Sequence, residues 1–239
     1  MRPHWTAVNK DENVSLMDRT ALSKPVEPRQ NRALKTRAAL LEAVETLVAA
    51  EGHEAVTTTR IAMETGTAVG TIYRYFVDRE ALLLAAYEAT VKRIVTQCAS
   101  KLEALPADLV ATDAAQILLS HYLEAAESIP AHTGLLAAMR SIRPIEADQQ
   151  GNNQTGITGD LLVPFFARYA PGARSLEPVQ LRFLSVLVGT MVDLYLVTGD
   201  GSDRARLREE IEAHVVLMVE RAGRENDDGI RQARLDQQR

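Results

Sequence analysis

Cysteine and large aromatic residues are scarce in this chain. Its 239 residues include one cysteine, Cys98, one tryptophan and four phenylalanines. A lone cysteine excludes an internal disulfide, fits a reducing compartment and reads first as a small core residue. Long uncharged apolar runs are missing as well, since none reaches the about 18 residues that a membrane-spanning helix needs. The nearest, Phe183 to Val197, is shorter and carries Asp193. The first residues hold Pro3, His4 and Trp5 but no apolar segment of the kind a secretion signal requires. The expectation is a cytoplasmic protein with no membrane partner. Period-two alternation is absent, which disfavours strands. So are a nucleophile elbow and a phosphate loop. The histidines (His4, His53, His121, His132, His214) are scattered rather than spaced for a metal. Neither enzymatic activity, nor a cofactor, nor a metal is expected.

What is present is an ordinary globular balance, 46% hydrophobic and 25% charged, enough for a real core. The net charge of −5 is unevenly spread. Residues 1–79 hold 11 basic and 10 acidic side chains, whereas residues 80–239 hold 16 and 22. An acidic body joined to a near-neutral N-terminal part is compatible with a nucleic-acid partner if the basic groups face the phosphates.

Four stretches follow from the pattern. Residues 1–30 lack apolar periodicity, contain Pro3, Pro25 and Pro28, and read as a flexible arm. Residues 31–80 form a first domain. It begins with an amphipathic helix to Glu51, with Leu40, Leu41, Val44, Leu47 and Val48 at helical spacing and Gly52 as its stop. Residues 81–222 form a second, larger helical domain, and residues 223–239 a charged, flexible tail. Expected helices in the second domain are Thr112–Ser128, Ala131–Ile142, Gly159–Tyr169, Glu177–Thr198 and Asp203–Ala222, separated by Pro130, Pro144, Pro171, Gly199 and Gly201. The polar segment from Gln149 to Gly159 reads as a mobile loop. The fold class is therefore all-α.

Thr57 to Phe76 is the informative segment. Thr57 or Thr58 caps a short helix ending at Gly66, and Thr67 is placed to cap a second running to Tyr75. Ile61, Ala62, Ile72 and Phe76 supply an apolar seam against the first helix. Asp78 then caps a long helix from Arg79 to about Leu102, with Glu80 beside its positive end. Two short helices joined by a glycine turn make a helix-turn-helix. Such a pair reads DNA when the second helix begins with small side chains, because its backbone must approach the base edges closely. Thr67, Val69, Gly70 and Thr71 meet that need. Tyr73, Arg74 and Tyr75 present hydroxyls and a cation where phosphates run. Thr58 and Thr59 offer hydroxyls at a helix N-terminus, and Arg79 is a candidate phosphate clamp. Arg29, Arg32, Lys35 and Arg37 read as a basic arm for the DNA backbone or minor groove.

The stretch from Ala38 to Leu84 closely resembles the DNA-binding domain of the tetracycline-repressor (TetR) family. The resemblance lies in Ala50-Glu51-Gly52, in Thr58-Thr59 followed by Ile61-Ala62, and in Gly66. It continues through Gly70-Thr71-Ile72-Tyr73-Arg74-Tyr75-Phe76 and Asp78-Arg79-Glu80-Ala81-Leu82-Leu83. Thr67 stands where the family often has valine and Arg79 where lysine is commoner. The resemblance implies DNA contacts by Thr58, Thr59, Thr67, Val69, Gly70, Thr71, Tyr73, Tyr75 and Arg79, with Ile72 and Phe76 as core. It also implies a homodimer that binds a palindromic double-stranded DNA operator, by default as a repressor, and answers to a small-molecule effector. Helices Glu177–Thr198 and Asp203–Ala222 from two chains would form the interface; burial within their own domain is the alternative.

For the effector, candidate lining residues are polar or aromatic groups on apolar helices: His121, Tyr122, Met139, Phe165, Phe166, Tyr169, Asp193 and Tyr195. Each is also a plausible core residue. Asp193, inside an apolar run, needs a partner: Arg182, Arg140, the second subunit or a cationic ligand. The rival readings are an enzyme and a helical scaffold without DNA affinity.

Overall fold

A computed structural model describes the backbone of residues 29–143, 156–170 and 177–236, with side chains for 31–143, 156–170 and 177–222. The expected arm before residue 29 and most of the polar loop, up to residue 155, lie outside the described residues. The described residues form helices joined by turns and short irregular links, with no strand among them.

The first helix, α1 (Arg29–Glu51), buries the expected stripe of Leu40, Leu41, Val44, Leu47 and Val48. It ends where Gly52 takes a φ of 82°, a left-handed conformation that glycine adopts without steric cost. A 3-10 turn, His53–Ala55, leads to α2 (Thr58–Thr65). Thr57 is its cap, its Oγ1 accepting from the Arg60 N–H at 3.2 Å. Gly66, at φ 62°, closes the helix, with the Thr67 N–H donating to the Ala62 carbonyl at 3.0 Å.

That closure overturns one expectation. Thr67 does not cap the next helix: its hydroxyl is turned to Thr65 Oγ1 at 2.9 Å instead of to an amide of that helix. The cap is Ala68, and α3 is only Val69–Ile72, continued by turns through Tyr75. Asp78 caps α4 (Arg79–Ala104) as expected, accepting from the Ala81 N–H at 2.7 Å.

The remaining helices are α5 (Ala111–Glu127), α6 (His132–Ile142), α7 (Val163–Tyr169), α8 (Pro178–Val197) and α9 (Gly201–Asp236). A wider π-helical stretch, Ile157–Leu162, leads directly into α7, so the helix starts two residues before the expected Gly159. The last helix continues past Gly223, since one interior glycine costs only about 1 kcal/mol relative to alanine. Arg168 on α7 ties down the end of α4. Its guanidinium donates to the Leu102 carbonyl at 2.9 Å, to that of Glu103 at 3.2 Å and to that of Leu105, at the helix end where intrahelical donors run out.

Two apolar cores result. The N-terminal one joins Val44, Ile61, Ile72, Phe76 and Leu82 to Leu135 and Ala138 of α6. The second gathers Ile94, Leu123, Leu136, Phe165, Val192 and Ile211. Full burial of each such side chain contributes about 1.5–3 kcal/mol. Helices α4 and α6 feed both cores. The approach of α6 to α1 is close: a Cβ on Gly134 would lie 2.7 Å from Val48 Cγ1, a stiff β-branched neighbour. Only glycine allows this contact.

Helix α8 is 20 residues long and apolar enough by length and composition to cross a membrane, with only 17% of its apolar window buried. Its charge is nevertheless engaged within the fold. Asp193 accepts from Arg140 Nε at 2.9 Å and from Nη2 of the same guanidinium. Arg140, one of the partners open to Asp193 from the sequence, is bonded to it.

Candidate nucleic-acid interface and internal cavity

The helix-turn-helix packs through Ile61, Ala62 and Ile72, all buried, so its opposite side is the exposed one. Thr59, Gly70, Tyr73 and Arg74 lie there, with Tyr73 54% exposed. Thr58, Thr67, Val69, Thr71 and Tyr75 are half-buried. Val69 and Tyr75 pack against the N-terminal core, which anchors α3. Arg74 lies over the Tyr75 ring at 5.7 Å, and Tyr75 in turn meets Phe76 at 6.5 Å. The exposed cation is thereby held on a rigid aromatic base.

Gly70 is informative by what surrounds it. A Cβ placed there meets no atom within 4 Å. Among the described residues nothing requires glycine in this helical turn, although glycine costs about 0.5–1 kcal/mol relative to alanine.

Two basic features differ from expectation. Arg79 donates from Nε to the Val56 carbonyl at 2.6 Å and from Nη2 to the His53 carbonyl at 2.7 Å. It staples the 3-10 turn to the start of α4, and with Nη2 also 3.6 Å from Glu54 Oε2, Nη1 is the nitrogen best placed for a phosphate. The basic arm is not an arm, because α1 begins at Arg29 and Arg32, Lys35 and Arg37 ride on it. Arg37 lies over the Phe76 ring at 5.4 Å. The Arg29 side chain is outside the described residues.

The C-terminal core encloses a cavity of about 320 Å³, the low end of the range for small-molecule sites. Of the expected lining residues, Tyr122, Met139, Phe165, Phe166 and Asp193 are on its wall. His121, Tyr169 and Tyr195 are not. Tyr169 donates its hydroxyl to the Pro106 carbonyl at 2.8 Å. Tyr195 donates to Glu127 Oε1 at 2.7 Å beneath the Arg204 guanidinium, 4.6 Å from its ring. Missed from the sequence were Tyr87, Arg140 and Gly189, each on the wall. Gly189, inside an otherwise apolar helix, was the one legible signal. Burial pushes the Cys98 thiol on the same wall up to about 12, so it stays an unreactive S–H.

Behind the cavity, His132 is buried at the first turn of α6. It stacks on Tyr87 (centroids 5.7 Å apart, planes at 13°) and its Nδ1 lies 2.9 Å from Thr90 Oγ1. The Thr90 hydroxyl also reaches the Tyr87 carbonyl at 2.7 Å.

Residues 40–86 match the family model for bacterial regulatory proteins of the tetR family. The helix-turn-helix segment is thus similar to that of TetR-family regulators. Some four-fifths of the chain, 78% and 82% in two cases, shares the fold of solved structures. The TetR family repressor AlkX from Dietzia sp. strain DQ12-45-1b aligns over 78% of this chain and 97% of its own, at 15% identity and a TM-score of 0.55. RolR in complex with resorcinol aligns over 82% and 95%, at 19% identity and a TM-score of 0.53. No curated protein matches the chain by sequence. The TetR-type architecture, an N-terminal three-helix DNA-binding unit on a larger helical body, is thus the fold expected from the sequence.

Proposed function

We propose that the chain is an effector-responsive regulator that binds a palindromic operator as a homodimer, and that Thr58, Thr59, Thr67, Val69, Gly70, Thr71, Tyr73, Arg74, Tyr75 and the Nη1 of Arg79 face the DNA. The observation that carries the reading is Gly70: a glycine with open space at its missing Cβ, on an exposed helix start, beside exposed Tyr73 and Arg74. A close external partner accounts for the glycine, and base edges in a major groove supply one. Repression by covering a promoter is the default mode.

The dimer reading rests on α8. Val179, Phe183, Leu194 and Val197 are exposed along one row of the helix, and Leu217 is exposed on the neighbouring α9. A continuous apolar row of this kind marks an interaction surface, and a second copy of the same two helices matches it by symmetry. Phe183→Glu is expected to convert a sedimenting dimer to monomer and to lower operator affinity with it. Two half-sites about 34–36 Å apart suit such a dimer. The effector reading rests on the cavity, and a protein of the same fold, RolR, has been captured with resorcinol.

Gel shifts against selected genomic fragments test the DNA assignment, with affinity falling steeply as salt rises. Tyr73→Ala is expected to weaken binding about three- to tenfold on all sequences alike, as loss of a phosphate contact does. Thr71→Val is expected to change the ranking of operators. Unaltered ranking removes Thr71 from base readout.

A further inference from the structure

Aromatic rings are few in this chain, and they collect on one cavity. It has four phenylalanines and six tyrosines, and four of these ten residues line the cavity. They are Tyr87 of α4, Tyr122 of α5, and Phe165 and Phe166 of α7. The thioethers of Met139 on α6 and Met218 on α9 join them. The Phe165 and Phe166 centroids are 5.3 Å apart with their planes at 80°, so ring groups stand in more than one orientation. Most of the remaining wall is aliphatic. An aliphatic guest gains from such a wall by burial alone. An aromatic guest gains the same burial and adds ring–ring and sulfur–ring attraction. Glu88, Arg140, Arg143 and Asp193 also line the cavity, two of each sign, so the formal charges of the wall sum to zero.

Two neutral hydroxyls complete it. Those of Tyr122 and Ser185 have no hydrogen-bond partner among the described residues, and neither oxygen is sealed from open space. A helical serine can return its hydroxyl to the carbonyl four residues back, and Ser185 does not. Burial holds the Tyr122 phenol above its ordinary range, so it remains an O–H able to donate as well as accept. A guest that carries a hydroxyl gives these groups a partner; a hydrocarbon takes their water and returns nothing. Gly189 follows Ser185 by one turn on the same face of α8. A Cβ there meets nothing within 4 Å, although glycine is unfavourable inside a helix. Serine and glycine together leave a shallow strip on which a flat molecule approaches the α8 backbone. The volume of about 320 Å³ is twice the roughly 150 Å³ that admits benzene, which is room for two fused rings.

We infer that the effector is a flat, hydroxylated aromatic molecule of the naphthol class, lying on the Ser185–Gly189 strip with its oxygen held by the hydroxyls of the wall. This inference rests on the effector reading above and adds the chemical class.

Calorimetric titration of the full chain at neutral pH with 2-naphthol, naphthalene and decahydro-2-naphthol tests it. The three probes share one carbon skeleton. 2-Naphthol is expected to bind about three- to tenfold tighter than decahydro-2-naphthol, which keeps the hydroxyl and loses the aromatic rings. It is expected to bind about three- to tenfold tighter than naphthalene, which keeps the rings and loses the hydroxyl. In the double variant Tyr122→Phe with Ser185→Ala the second preference disappears and the first persists. The melting temperature of the free double variant stays that of the parent, because those hydroxyls have no internal bond to lose. Gly189→Leu is expected to abolish binding by filling the strip. Equal or tighter binding of either comparison probe, no binding of any probe, or unchanged binding in Gly189→Leu overturns the inference. So does a preference for 2-naphthol over naphthalene that survives in the double variant. A gel shift run with bound 2-naphthol separates the two claims. If 2-naphthol binds as expected but operator affinity is unmoved, the ligand class stands and the effector reading falls.

Discussion

Gly70→Ala is expected to lower operator affinity on the order of ten- to a hundredfold while leaving the free protein as stable as before, or more so. The two halves of this result have separate causes. In the free chain a methyl group at position 70 enters empty space, and alanine favours the helical turn by about 0.5–1 kcal/mol. On DNA the same methyl group occupies the gap between backbone and duplex, and overpacking of such a contact costs about 1–3 kcal/mol. Thermal melting and gel shifts on the same preparation check both halves. Equal affinity of Gly70→Ala and the parent protein places the DNA surface elsewhere. An exposed glycine that stabilises nothing internally is what makes the test clean, because a loss of affinity cannot be traced to misfolding.

Acid is expected to destabilise the protein through His132. Burial, with the positive field of Arg93 second, lowers this imidazole from 6.5 to about 4. Between those two values the unfolded chain takes up a proton that the folded chain refuses. Stability conferred by the neutral ring is therefore complete above pH 6.5 and declines as pH falls toward 4, by roughly 3 kcal/mol in all. The geometry explains the refusal. The stacked Tyr87 ring takes the place of water around the imidazole, while the Thr90 hydroxyl, donating to the Tyr87 carbonyl, accepts from Nδ1–H and fixes the tautomer of the neutral ring. Urea unfolding at pH 7 and at pH 4.5 measures the effect. His132→Gln, which keeps a polar group near Thr90 but does not titrate, should show a smaller loss over that interval by about 2–3 kcal/mol. Parallel pH profiles for the two proteins sink the assignment.

Local chemistry made the DNA-binding unit legible. Thr57 with Arg60, Gly66 at the turn and Asp78 with Ala81 are contacts over three or four residues, and each leaves its mark on neighbouring letters. The Thr67 expectation failed for a local reason too. Thr65 engages its hydroxyl, the group a cap would use, and the helix begins one residue later with Ala68 in the cap position. Arg79 was illegible for a different reason. Its carbonyl partners lie 23 and 26 residues earlier in the chain, and nothing in a stretch of sequence announces which carbonyls a fold will leave open. The cavity shows both cases. Asp193 had to find a partner and did. Tyr195, two residues on, sits about 200° around the same helix and so faces away. His121 and Tyr122 are adjacent in sequence, about 100° apart on α5, and only Tyr122 reaches the wall. Composition identified the helices that line the site; the rotation of each about its own axis was fixed by packing between helices that are distant in sequence.

The seat of Gly134 against Val48 has a consequence for how the molecule opens. Helix α6 places Leu135 and Ala138 in one core and Leu136 and Met139 in the other, and α4 does the same over a longer span. Withdrawing α6 exposes apolar surface on both sides at once, so neither core has an inexpensive route to fraying alone. Amide hydrogens of α1 and of α5 are consequently expected to share an opening event, and a molecule lodged beside Tyr87 and Met139 is expected to slow solvent exchange in the N-terminal helices that it never touches.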